Sequence, residues 1–158
     1  MEPLFDYEKL DVYRVELAFI AWIADFLGDV AQSSVQYRRE LIEQLDRASL
    51  SVLLNTAEGN GKRQGRQRAK FFDDARGSAF ECAACLDGSV AKRFASADRV
   101  RPGKEMLARV VAMLTRLIDR FETGDTGIVG LSPPPPLPKS SSSSSSFSSS
   151  ISFARERY

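Results

Sequence analysis

The chain has 158 residues, 43% of them apolar, and carries 22 Lys and Arg against 21 Asp and Glu, a net charge of +1. That length suits one domain with its own core and is short for two, and the balanced charge excludes the overall basic bias of a protein that works chiefly on phosphate backbones. Histidine is absent, which excludes Ser-His-Asp and Cys-His catalysis.

The opening MEPLFDYEKLDVYR mixes charges among its apolar residues and lacks the basic start, apolar centre and small-residue cleavage site of a secretion signal. No stretch approaches the roughly 18 uninterrupted apolar residues of a membrane-spanning helix. The sequence therefore predicts a soluble, cytoplasmic protein.

From about Lys9 to Leu27, Leu10, Tyr13, Leu17, Ile20, Ala24 and Leu27 recur at steps of three and four, one apolar stripe along a helix that faces a core. A second set on the same helix, Val12, Val15, Phe19, Trp22 and Phe26, lies well round the cylinder. One helix thus has two faces to bury. A short-looped monomer covers one of them, and the second, with Val15, Phe19, Trp22 and Phe26, is expected to meet another subunit; packing against the fourth helix is the alternative.

A second helix is predicted from about Val35 to Glu58, with Leu41, Leu45, Ala48, Val52 and Asn55 on one line and Gly59 as its stop. The following GNGKRQGRQR reads as a basic, glycine-broken loop. A third helix is predicted from about Arg66 to Phe94, with Phe72, Ala75, Ala79, Cys82 and Leu86 on its apolar side. Pro102 suits the first turn of a fourth helix, in which Leu107, Val110, Leu114, Leu117 and Phe121 repeat to about Glu122 before Gly124 ends it. The fold predicted is all-α, an antiparallel up-down four-helix bundle over residues 1–124. Residues 125–158 are a separate proline- and serine-rich tail, too poor in apolar groups to offset the cost of ordering and expected to be disordered.

Three groups of side chains carry candidate chemistry. Lys62, Arg63, Arg66, Arg68 and Lys70 cluster between glycines, cations on a mobile segment that could follow a phosphate backbone without reading bases; a solvated charged loop is the plain alternative. Asn55, Glu58, Arg76, Ser78 and Glu81 lie close to apolar stripes and are expected to pair in a polar network, Arg76 with Glu58 or Glu81. A Glu58–Glu81 acid-base or metal dyad is the rival reading, disfavoured because a di-iron bundle needs Glu-x-x-His pairs; no catalytic residue, metal or cofactor is expected. Cys82 and Cys85 have Cys-x-x-Cys spacing but sit mid-helix, where they read as small core residues.

Two strings, QLDRASLSVLLNTAEG (Gln44–Gly59) and KFFDDARGSAFE (Lys70–Glu81), together with the opening FDYEKLDVYR (Phe5–Arg14), resemble the four-helix bundle proteins encoded in intervening sequences of bacterial 23S ribosomal RNA genes. The family pattern falls on Arg47, Ala48, Ser51, Asn55, Ala57, Glu58 and Gly59, then on Ala75, Arg76, Gly77, Ser78 and Glu81; Thr56 stands where isoleucine is more usual. The resemblance extends to the accessory protein of diversity-generating retroelements, and it implies a homo-oligomer, a pentamer, with RNA or DNA as partner. The function expected is a non-enzymatic accessory protein that binds nucleic acid weakly and without sequence preference. The balanced charge supports an alternative, a structural or protein-interaction scaffold.

Overall fold

The computed structural model describes residues 2–31 and 36–123; over these, a short 3-10 turn (Asp6–Lys9) leads into four helices, α1 (Asp11–Ala31), α2 (Gln36–Gly61), α3 (Gly65–Ala91) and α4 (Ala97–Glu122). α1 packs on α2 and α4, and α3 packs on the same two, while the diagonal pairs stay apart. With tight connections at 62–64 and 92–96, this is the up-down four-helix bundle that the periodicity predicts. The Pro/Ser tail and the expectation attached to it lie outside the described residues.

The core line of α1 runs through Val12, Glu16, Phe19, Ile23, Phe26 and Val30, all buried within the single chain. The predicted faces of α1 therefore change places. Phe19 and Phe26 are core residues, Val15 and Trp22 pack against that core, and Leu17 on the other stripe is left exposed. The reason lies on α4: Gly103 opens a slot in which the Trp22 ring sits, and the Arg99 guanidinium lies 5.4 Å from the centroid of that ring. The assignment of Phe19 and Phe26 to a subunit interface is thereby corrected, because both are buried within the chain, while Val15 and Trp22 stay half-buried against the core.

α2 presents Leu45, Ala48, Val52 and Thr56 to the core and continues past Glu58 to Gly61. Gly59 is not its stop. A Cβ there would meet Phe71 Cβ at 3.0 Å and the Phe72 ring at 3.1 and 3.2 Å, so this glycine lets α2 and α3 approach closely. Gly65 plays the same part at the start of α3, its Cβ position lying 3.0 Å from the Phe121 carbonyl oxygen.

α3 buries Ala69, Phe72, Ala75, Ala79, Cys82, Leu86 and Ser89 and stops at Ala91, short of Phe94. A Schellman motif closes it. Phe94 N–H donates to Ser89 O at 2.8 Å and Arg93 N–H to Val90 O at 2.9 Å, with Arg93 in the left-handed region at φ 60°. Ser96 then caps α4, its hydroxyl accepting from Arg99 N–H at 3.2 Å. Helix four thus begins ahead of Pro102, which falls in its second turn and removes one backbone bond, the one Asp98 O would accept. Beyond it, Leu107, Val110, Leu114 and Leu117 are buried on the predicted repeat, with Met113 and Ile118 beside them.

Candidate functional site

The basic segment is mostly helix. The turn itself is only Lys62, Arg63 and Gln64, and Arg66, Arg68 and Lys70 ride on the first turns of α3. Helical phase then sends the five cations in different directions. Arg68 turns inward and back: its Nε donates to Lys62 O at 2.6 Å and its Nη2 to Asn60 O at 2.9 Å, while its guanidinium lies 5.0 Å from the Phe121 ring centroid. It thus satisfies carbonyls at the end of α2 that the helix leaves without partners. Its role is to hold the turn.

Lys62 and Lys70 flank Phe71, their Nζ atoms 4.6 and 5.4 Å from its ring centroid. Each also has a carboxylate, Glu58 at 2.8 Å for Lys62 and Asp74 at 3.2 Å for Lys70. Exposed ion pairs of this kind exchange readily with water and other anions. Arg63 and Arg66 are exposed and form no ion pair among the described residues. They stand at the N-terminus of α3, where the helix dipole adds a positive potential of its own. The predicted cluster therefore resolves into two free cations, two weakly engaged ones and one structural arginine.

The predicted polar network divides into separate parts. Asn55 Nδ2 donates to Ser51 O at 2.9 Å and to Ser51 Oγ at 3.1 Å, and Ser51 Oγ meets Ser78 Oγ at 2.9 Å across the α2–α3 seam. Glu81 accepts from Gln44, whose side-chain oxygen in turn accepts from Arg47. Arg76 pairs with neither Glu58 nor Glu81. It lies on the α4 side of α3, ion-paired with Asp73 at 2.6 Å and 3.5 Å from Thr115 Oγ1. Glu58 is tied to Lys62, and the Gln44 contact sets Glu81 about four turns away along α2, roughly 20 Å. The two carboxylates are too far apart to act as a dyad.

A buried pair replaces them as the unusual polar feature. Glu16 is 1% exposed, and its Oε1 accepts a hydrogen bond of 2.7 Å from Thr56 Oγ1, while Oε2 is buried without a partner. Desolvation pushes the carboxyl up to about 8, against a smaller opposing effect of the Thr56 hydroxyl. It is a neutral acid at pH 7. The sequence does signal it: Glu16 interrupts the Val12–Phe19–Phe26 stripe with a carboxyl group, and Thr56 sets a hydroxyl on the Leu45–Ala48–Val52 line of α2.

Cys82 is buried and Cys85 half-buried, both free. Burial, then the neighbouring Cys85 and Glu81, pushes the Cys82 thiol up to about 12, which keeps it in the unreactive protonated form. Among the described residues no group of three or more Cys, Asp or Glu is placed to hold a metal ion, and no helix is long and apolar enough to cross a membrane.

A four-helix up-down bundle with a close glycine-mediated α2–α3 seam and a cationic turn at one end defines the class of protein. The chain belongs to the 23S rRNA-intervening sequence protein family, whose family model matches residues 8–116. No curated protein sequence matches it.

Proposed function

We propose that the protein is a homo-oligomeric accessory protein that binds RNA or DNA weakly and without sequence preference, through the α2–α3 turn. The observation that carries this reading is the exposure of Arg63 and Arg66, without ion-pair partners among the described residues, at the positive end of α3. Lys62 and Lys70 adjoin them and can leave Glu58 and Asp74 for a phosphate at little cost. Arginine suits the task because its guanidinium forks onto phosphate oxygens. Two to four cations per chain give weak binding, and repetition around an oligomer raises the summed field. Chemistry on a substrate has no role in this proposal. Titration of a labelled single strand at several salt concentrations, with and without R63Q and R66Q, tests it.

A second reading, a protein-interaction scaffold without a nucleic-acid role, draws support from the exposed leucines Leu17, Leu50 and Leu54. Retention of a protein partner by the R63Q/R66Q chain, without any affinity of the wild type for nucleic acid, would favour it.

A further inference from the structure

Phe71 stands on α3 beside the buried line of Ala69, Phe72 and Ala75, turned about 100° from Phe72 toward α2. It is half-buried, and it is not among the side chains that pack on the core of the described residues, whereas its aromatic neighbours Phe72 and Phe121 are. Its base is held in place: the Phe71 Cβ lies 3.0 Å from the position a Cβ on Gly59 would take. Around the ring stand cations, with Lys62 Nζ 4.6 Å and Lys70 Nζ 5.4 Å from its centroid.

As a cover for Gly59, any apolar side chain of similar size would serve. A flat ring among cations offers something more, because an unpaired base stacks on an aromatic face while the phosphates beside it need positive charge. The cations lie to both sides of Phe71 along the chain. Lys62 and Arg63 are adjacent on the turn, and Arg66 and Lys70 are one helical turn apart on α3. Exposed contacts between an ammonium and a ring are weak, so a base can take the place of a lysine, which then remains beside the strand's phosphates. A duplex keeps its bases stacked on one another and presents only its backbone to such a site.

We infer that Phe71 is a stacking platform for an unpaired base, so that the α2–α3 turn takes single-stranded RNA or DNA in preference to duplex. This inference rests on the nucleic-acid half of the proposed function and names its substrate class. Stacking agrees with binding that has no sequence preference, since every base has a face to offer.

Fluorescence anisotropy of the full chain at low salt tests it with a labelled mixed-sequence DNA strand, the same strand annealed to its complement, and an abasic strand of equal length that keeps the phosphates. The wild type binds the intact strand about tenfold more tightly than the abasic one, as one stacked base provides, and more tightly than the duplex. Phe71→Leu keeps an apolar cover over Gly59, and its circular dichroism matches that of the wild type. It loses about tenfold on the intact strand and nothing on the duplex, with an unchanged salt slope because no phosphate contact is removed. An intact strand bound no more tightly than the abasic strand or the duplex overturns the stacking role and leaves the nucleic-acid reading standing, as does a folded Phe71→Leu chain with wild-type affinity. No binding to any of the probes overturns both. The abasic comparison needs only the wild type, and it decides the matter if Phe71→Leu does not fold.

Discussion

Gly103 of α4 and Trp22 of α1 occupy one another's space: a Cβ on Gly103 would fall inside the van der Waals envelope of the indole ring. The fit explains why the aromatic stripe of α1 belongs to the core. It also makes Gly103 intolerant of the substitution that helix propensity alone would reward, since alanine gains about 1 kcal/mol over glycine in a helix interior.

Gly103→Ala is therefore expected to destabilise the fold, by about 1–3 kcal/mol as for other overpacked sites, with a shift in Trp22 fluorescence. Urea unfolding followed at the single tryptophan measures both. A stabilised variant would contradict the packing described.

Stability should fall as pH rises, because of Glu16. Its carboxyl titrates near 8 when folded, against 4.5 as the ordinary value. The folded chain thus holds a proton that the unfolded chain has released, and the contribution is fully present below 4.5 and lost as pH rises towards 8. The slope in that window is at most about 1.4 kcal/mol per pH unit for one group. Glu16→Gln keeps the shape and removes the slope. Denaturation midpoints across pH 5–9 for the two chains check this, and parallel curves would count against it.

Arg68 and its neighbours separate structure from binding. Arg68→Ala leaves the Lys62 and Asn60 carbonyls without their donor and is expected to cost about 1–3 kcal/mol. Arg63→Gln and Arg66→Gln should change stability by no more than about 0.5 kcal/mol, as exposed substitutions do. Thermal unfolding of the three variants side by side distinguishes these effects.

Arg93 holds the left-handed position that closes α3, where a side chain costs roughly 1–2 kcal/mol and glycine costs none. Arg93→Gly should raise the melting temperature. No gain, or a loss, would show that the arginine side chain has a compensating contact.

The helix count and most of the core were legible in the sequence, because three-and-four spacing survives wherever one stripe alone is apolar. Leu107, Val110, Leu114 and Leu117 read directly as the buried line of α4. α1 offered two apolar stripes. The one that carries Glu16 is the buried one, its carboxyl taking a hydrogen bond from Thr56, and spacing alone does not tell the two apart. Gly59 and Pro102 misled for a related reason: a glycine that ends a helix and one that admits Phe71 and Phe72 are the same letter, and a proline in a second turn resembles one in a first. The cationic segment is legible from composition, whereas the turn of Arg68 back onto Asn60 and Lys62, with Arg63 and Arg66 left exposed, depends on the helical phase of α3 against α2.

The most direct test of the nucleic-acid role is fluorescence anisotropy of a labelled single strand, titrated with the full chain at several salt concentrations. The account predicts weak binding that falls steeply with salt, and an R63Q/R66Q chain whose log-log salt slope is lower by roughly one to two units, about 0.7 for each phosphate contact removed. Absence of binding at the lowest salt, or binding that the double substitution leaves unchanged, would contradict it.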